Sequence, residues 1–129
     1  MKKILLVAGM MVLLAVSLGQ AQVVKNISAA EAYQLLQRDA RVFLLDVRTA
    51  QEYFDLRLKS ARLIPIDQVV QRRAEVPQDR PVLVYCAVGS RSAQVANYLS
   101  RSGHSEVFNL IGGIYSWQLR GYPVLKGAP

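Results

Sequence analysis

The 129-residue sequence contains one cysteine, Cys86, and one histidine, His104. A single cysteine excludes an internal disulfide, and no group of His, Cys, Asp and Glu has the spacing of metal ligands. Blocks of five or six like charges, internal repeats and Pro/Gly-rich linkers are also missing. We therefore predict one domain that needs neither a metal nor a cofactor and has no arm for binding nucleic acid.

No apolar run is long enough for a comfortable membrane span, since the longest covers residues 4–18. This run follows two lysines and ends before the small residues Gly19 and Ala21, which is typical of a secretory signal peptide. We predict a signal peptide over residues 1–21, cleaved near Ala21, and an exported, periplasmic mature domain over residues 22–129 with no stable membrane association. An uncleaved anchor is the alternative.

The mature domain is moderately basic. Without Lys2 and Lys3 it keeps 14 basic and 9 acidic residues, a net charge of +5. Such a field favours the approach of small anions but does not identify one. A free thiol in an oxidising compartment is chemically vulnerable, so its presence calls for a function.

Short apolar runs of strand length alternate with helical patterns along the mature domain. Capping-box spacings at Ser28–Glu31 and Thr49–Glu52 mark the starts of two helices. The alternation predicts an α/β fold with a parallel sheet covered by helices. The predicted strands are residues 42–45, 63–66, 82–85 and 107–110, and the predicted helices are residues 29–38, 50–55, 67–73, 92–101 and a last one that starts at Gly112-Gly113 and carries Trp117.

Cys86 follows the clearest strand, residues 82–85, and a short loop then leads to the helix expected from Ser92. In parallel sheets the binding crevice lies beyond the carboxyl ends of the strands. The amides of loop 87–91 and the helix N-terminus together form a concave anion site. Their partial positive charge favours the thiolate, so we expect the pKa of Cys86 to be depressed.

The side chains of this loop suit the same purpose. Gly89 permits the dihedral angles of a tight cradle, and Arg91 brings a permanent charge whose forked donors match an oxyanion. Ser90 and Ser92 supply hydroxyls, one of which can cap the helix. The alternative interpretation is that Cys86 is an inert core cysteine.

Other polar and aromatic residues have simpler interpretations. Asp46 and Arg48 follow a predicted strand; they can contact the site, but we expect them to brace the loop or each other. We expect His104 to be a solvated turn residue, and Trp117 and Tyr115 to belong to the core or to a pocket wall.

Taken together, these motifs resemble the rhodanese family. The resemblance extends over nearly everything from Ile27 to Val124, and the order and spacing of its parts make it specific. The matching stretches are Leu45-Asp46-Val47-Arg48 with Glu52-Tyr53, residues 61–66, Val84-Tyr85-Cys86-Ala87-Val88-Gly89-Ser90-Arg91-Ser92, Leu110-Ile111-Gly112-Gly113 with Trp117, and Gly121-Tyr122-Pro123-Val124.

The resemblance implies a single-domain rhodanese-like fold with a mostly parallel five-stranded sheet and helices on both faces. It also implies a thiosulfate sulfurtransferase: Cys86 takes a sulfane sulfur from a small anionic donor such as thiosulfate and passes it, as a persulfide, to cyanide or a thiol. Arg91 is then catalytic, the sulfur is bound by loop residues, and Asp46 and Arg48 support the site. We expect a monomer. The binding residues are Ala87, Val88, Gly89, Ser90 and Ser92.

Two alternatives remain. Cysteine-dependent phosphatases and arsenate reductases use a related loop, but phosphatases place five residues between cysteine and arginine, and here only four separate Cys86 from Arg91. Between Tyr53 and Ala61 the family also usually has a Gly-His pair followed by a small-residue turn, whereas residues 56–60 stand here instead. Many thiosulfate-using members also have a basic residue at the position of Ala87. A catalytically weak sulfur-relay or binding module is therefore the second hypothesis.

Overall fold

The computed structural model describes residues 23–129. The predicted signal peptide, residues 1–21, lies outside the described residues. Among the helices formed by residues 23–129, none combines the length and the hydropathy needed to cross a bilayer. The same residues contain no cluster of three or more His, Cys, Asp or Glu that could hold a metal ion.

The described residues form a five-stranded sheet in the order β1-β5-β4-β2-β3 in which every pairing is parallel. The predicted α/β architecture is confirmed, with β4 at the centre of the sheet and buried along its whole length. The strands are β1, Lys25–Ile27; β2, Phe43–Asp46; β3, Arg62–Leu63; β4, Val82–Tyr85; and β5, Val107–Leu110.

The described residues form four α-helices, three between strands and one after β5, and the two predicted capping boxes are both formed. The Ser28 hydroxyl accepts from the Glu31 amide, and the Thr49 hydroxyl accepts from the Glu52 amide. Each reciprocal pair satisfies amides that a helix start leaves without partners. The helices are α1, Ala29–Arg38; α2, Ala50–Asp55; α3, Ser90–Arg101; and α4, Gly113–Leu119.

Helices cover both faces of the sheet, as expected. On one face, α1 and α4 bury Leu35 and Trp117 against alternate sheet residues. On the other face, α3 packs Val95 and Leu99 against the remaining sheet side chains, and Cys86 lies in this second layer. Because neighbouring side chains of a strand point to opposite faces, each strand contributes to both cores.

Three predicted elements differ from the structure. The strand expected over residues 63–66 covers only Arg62–Leu63, although the amides of Ile64 and Ile66 still donate to the carbonyls of Asp46 and Val47. The helix expected over residues 67–73 is replaced by two 3-10 turns, Ile66–Gln68 and Arg73–Glu75, since adjacent β-branched Val69 and Val70 disfavour an α-helix. The helix expected from Ser92 begins at Ser90.

Arg57 ties the C-terminal segment to α2. Its buried guanidinium donates to the carbonyls of Tyr53, Gly127 and Ala128, and it lies 4.9 Å from the centre of the Tyr53 ring. An isolated antiparallel bridge to Leu125 adds two backbone hydrogen bonds. The segment where the sequence departs from the rhodanese pattern thus holds the C-terminal residues against α2.

We expect Arg57→Ala to destabilise the domain by about 2 kcal/mol, because carbonyls now bonded to a buried guanidinium would lose their donor. Urea denaturation measures this loss. Lys59→Ala, an exposed neighbour, is the control and should stay within about 0.5 kcal/mol of the parent protein. Equal stabilities of the two variants would contradict the role given to Arg57.

Candidate active site

Cys86 lies directly beyond the carboxyl end of β4, at the centre of the sheet. Its thiol is unpaired, and the residue is 0% exposed. The strand before it is rigid because β2 and β5 bond to β4 on either side. The sulfur therefore has a fixed position beyond the carboxyl ends of the strands, which is where parallel sheets bind their ligands.

A short loop closes around the sulfur. The Gly89 amide donates to Cys86 Sγ over 3.1 Å, and the Ser92 hydroxyl lies 3.3 Å from the same sulfur. Gly89 has a φ of +106° and forms the N-cap of α3, a conformation that side-chain-bearing residues rarely adopt. The cap uses no side chain, so the expectation that Ser90 or Ser92 caps the helix is wrong; Ser92 instead contacts the sulfur and the Gly89 carbonyl.

The start of α4 holds the back of this loop. The amide of Ile114 donates to the Cys86 carbonyl over 2.9 Å, and the amide of Tyr115 donates to the Ala87 carbonyl over 3.1 Å. A Cβ on Gly113 would lie 2.4 Å from the Ala87 oxygen, so only glycine fits between them. With both carbonyls bonded to α4, the loop turns its amides toward the sulfur.

These contacts change the acidity of the thiol. Burial alone opposes ionisation, but hydrogen bonds from the Ser92 hydroxyl and from the amides of Ser92, Gly89 and Val88 outweigh it and lower the pKa of Cys86. The depressed pKa expected from the sequence has the expected cause, since these amides lie in the loop and the first turn of α3. The site favours a thiolate.

Arg91 is held by a partner that the sequence did not reveal as a site residue. Its two terminal nitrogens bond to the two carboxylate oxygens of Glu52 over 2.8 and 2.9 Å. The pair lowers the pKa of Glu52 to about 2, chiefly through the side-chain hydrogen bonds from Arg91. Glu52 also closes the capping box of α2 through Thr49, so it links that helix to the cysteine loop.

Asp46 and Arg48 brace each other beside the site. The Arg48 Nη2 lies 2.7 Å from Asp46 Oδ2, and both residues are almost fully buried. Arg48 also donates to the Leu56 carbonyl at the end of α2 and lies 5.4 Å from the centre of the Tyr85 ring. The expected bracing role matches this geometry, because the pair fixes the ends of β2 and α2.

The structure places the remaining residues as follows. Val88 and Ser90 are exposed on the loop. His104 is not solvated: it is 2% exposed, and its ring nitrogens lie 3.1 Å from the carbonyls of Leu99 and Val76, beyond the far end of α3 from Cys86. Trp117 is a core residue as expected, whereas Tyr115 is 59% exposed and belongs to neither core.

Comparison with known proteins agrees with this geometry. The family sequence model of the rhodanese-like domain matches residues 28–120. The chain belongs to the rhodanese-like family. The parallel sheet with helices on both faces is accordingly the rhodanese-like fold.

Individual rhodanese-like relatives extend over most of the chain. A sulfurtransferase of Allochromatium vinosum is 35% identical over 102 residues, which cover 79% of this chain and 95% of that protein. Thiosulfate sulfurtransferase GlpE of Coxiella burnetii is 32% identical over 94 residues, covering 73% and 87%. The crystal structure of a rhodanese-related protein from Thermoplasma volcanium superimposes with a TM-score of 0.71 at 33% identity, covering 78% and 97%.

We expect Ser92→Ala to raise the pKa of Cys86, because a hydrogen bond to the thiolate is lost. Ultraviolet absorbance of the thiolate reports this directly, since Cys86 is the only cysteine in the sequence. Ser105→Ala, at an exposed position beyond the other end of α3, should leave the titration unchanged. Identical midpoints in both variants would contradict the role of the hydroxyl.

Glu52→Gln should lower the free energy of unfolding by about 1 kcal/mol at neutral pH through loss of the partly exposed pair. Glutamine at this position can still form the capping box, so the variant removes only the negative charge of residue 52. Because the folded-state pKa of Glu52 is lowered from 4.5 to about 2, the pair stabilises the fold above pH 4.5 and ceases to do so as the pH falls to 2.

Denaturation at several pH values tests the Glu52 prediction. The difference between the parent protein and Glu52→Gln should be constant from neutral pH down to about 5 and then close. The exposed Glu106→Gln serves as the control. A difference that persists unchanged near pH 2 would show that the carboxylate charge is not responsible.

Proposed function

We propose that the protein is a sulfurtransferase that moves a sulfane sulfur from a donor such as thiosulfate to a thiophilic acceptor such as cyanide or a thiol. The observation that carries this proposal is the buried Cys86 sulfur, bonded by the Gly89 amide and the Ser92 hydroxyl inside a rhodanese-like loop. A sulfur held by donors is stabilised as an anion, which is the reactive form of a thiol nucleophile.

The reaction divides into two exchanges at one sulfur. In the first, the Cys86 thiolate attacks the sulfane sulfur of thiosulfate; a new S–S bond forms, the old one breaks, and sulfite leaves with its electron pair. In the second, cyanide attacks the outer sulfur of the Cys86 persulfide. The S–S bond breaks, thiocyanate leaves, and the thiolate is restored without any oxidant.

The surrounding residues stabilise the charges in both exchanges. Amides of Ala87, Val88, Gly89 and Ser90, with the N-terminus of α3, receive the outer sulfur of the persulfide, whose negative charge they favour. Arg91 orients the loop through its ion pair with Glu52. Asp46 and Arg48 hold the ends of β2 and α2 behind it.

A weak sulfur-relay or binding module is the second candidate function. Two observations favour it: Ala87 brings no charge to the loop, and the Arg91 guanidinium is already bonded to Glu52. A phosphatase or arsenate reductase is less well supported, because a loop with four residues between Cys86 and Arg91 is smaller than the phosphatase loop with five.

We also propose that the domain acts as an exported, periplasmic monomer. The pattern of residues 1–21 supports export, and a fold that needs no disulfide suits a chain with one cysteine.

Mass spectrometry of the mature protein tests the chemistry. After incubation with thiosulfate and removal of the donor, we expect one extra sulfur atom on Cys86, and added cyanide should release it as thiocyanate. Cys86→Ser should lose at least about a thousandfold of turnover, since it lacks the nucleophile. Circular dichroism confirms that the variant is folded. Full turnover in folded Cys86→Ser, or loading at another residue, would overturn the proposal.

A further inference from the structure

The position of the sulfur separates the two parts of a donor molecule. Cys86 is 0% exposed, and its loop has only four residues before Arg91. A donor that loads this buried atom must bring its terminal sulfur to Cys86 Sγ, and the larger group that carries this sulfur then stays at the mouth of the loop. All such donors deliver the same terminal sulfur atom, so the choice between them depends on the side chains at the mouth of the loop.

Exposed apolar side chains gather around this loop. Val88 is 62% exposed, Ile111 53% and Tyr115 59%. Their backbones adjoin the loop: the Tyr115 amide bonds the Ala87 carbonyl, and Ile111 precedes Gly112, whose nitrogen lies 3.2 Å from where a Cβ of Gly89 would stand. Single exposed apolar residues are ordinary, but three around one nucleophile form a surface suited to an apolar group.

The charges near the loop are already compensated. Arg91 is paired with Glu52, and Arg48 is paired with Asp46. Within the loop itself, Ala87 is neutral. A thiosulfate dianion would therefore meet the Cys86 thiolate with no unpaired cation among residues 86–91 to offset the repulsion. A donor with one negative charge is repelled less.

We propose that the protein prefers sulfane sulfur donors that carry an apolar group and a single negative charge, such as organic thiosulfonates, over thiosulfate. This inference rests on the proposed sulfurtransferase function and specifies its donor. In the step, the Cys86 thiolate attacks the terminal sulfur of R–SO₂–S⁻. The new S–S bond forms, the bond to the sulfonyl sulfur breaks, and the sulfinate R–SO₂⁻ leaves with the electron pair, so atoms, charge and electrons balance.

Three donors separate the two physical causes. Benzenethiosulfonate and methanethiosulfonate have the same charge and the same type of leaving group, so their ratio of kcat/KM reports the apolar contact. Thiosulfate against methanethiosulfonate reports the second charge. With cyanide as acceptor, we expect benzenethiosulfonate to exceed methanethiosulfonate by about tenfold, and thiosulfate to be the poorest donor.

Each donor also has its own intrinsic reactivity. Because this reactivity is the same with every variant, comparing donor ratios between variants removes its effect. Ala87→Arg should raise kcat/KM for thiosulfate relative to methanethiosulfonate by about tenfold. Asn97→Arg adds the same charge at an exposed position in the middle of α3 and should leave that ratio unchanged. Val88→Ser and Tyr115→Ser, both at exposed positions, should each lower the ratio of kcat/KM for benzenethiosulfonate to that for methanethiosulfonate at least about threefold.

Failure of the donor inference can be distinguished from failure of the proposed sulfurtransferase function. If all three donors load sulfur on Cys86 of the parent protein and thiosulfate is the best of them, the inference is overturned, but the sulfurtransferase function still holds. The inference would also be overturned if neither serine variant changed the kcat/KM ratio of benzenethiosulfonate to methanethiosulfonate. Equal changes in the thiosulfate-to-methanethiosulfonate ratio for Ala87→Arg and Asn97→Arg would overturn it as well. No loading by any donor would overturn the function and the inference together.

Discussion

The close packing of Gly113 against the backbone of Cys86 and Ala87 is the constraint on which the site depends. A Cβ at Gly113 would overlap both carbonyl groups, so the start of α4 can approach only without one. This approach lets the amides of Ile114 and Tyr115 bond the two carbonyls. The loop is thereby fixed from behind with its amides turned to the sulfur, and a neutral stretch of backbone becomes an anion site.

The ion pairs around the site have a different task. Glu52 with Arg91, and Asp46 with Arg48, each join a helix or strand end to its neighbour and add no net charge. The thiolate is consequently stabilised by hydrogen bonds, which act over short distances and are only weakly screened by salt, rather than by a free cation. The mild positive charge of the domain thus guides anions to the protein, while the chemistry at sulfur depends on local dipoles.

Local signals in the sequence were sufficient for much of this arrangement. α1, α2 and β4 are bounded as capping boxes and apolar runs predict, and Cys86 lies where a strand-to-helix loop should place it. Glu52 was recognised only as a capping residue, because its bond to Arg91 joins residues 39 positions apart. His104 was expected in solvent, because only the tertiary fold brings the Val76 carbonyl to its ring. β1, three residues long with two exposed, has too little pattern to detect.

Backbone hydrogen bonds and side-chain identity have separate roles in the cysteine loop, which explains how one scaffold can serve different donors. Backbone amides and Ser92 determine the state of the sulfur, and these depend on Gly89, Gly113 and the start of α3. Ala87 and Val88 contribute the same amides whatever their side chains, so a change there alters what stands at the mouth and leaves the thiolate in place. Under the proposed function, sulfur chemistry and donor choice are therefore set by different atoms of the same loop, and a neutral, apolar mouth is compatible with a cysteine of lowered pKa.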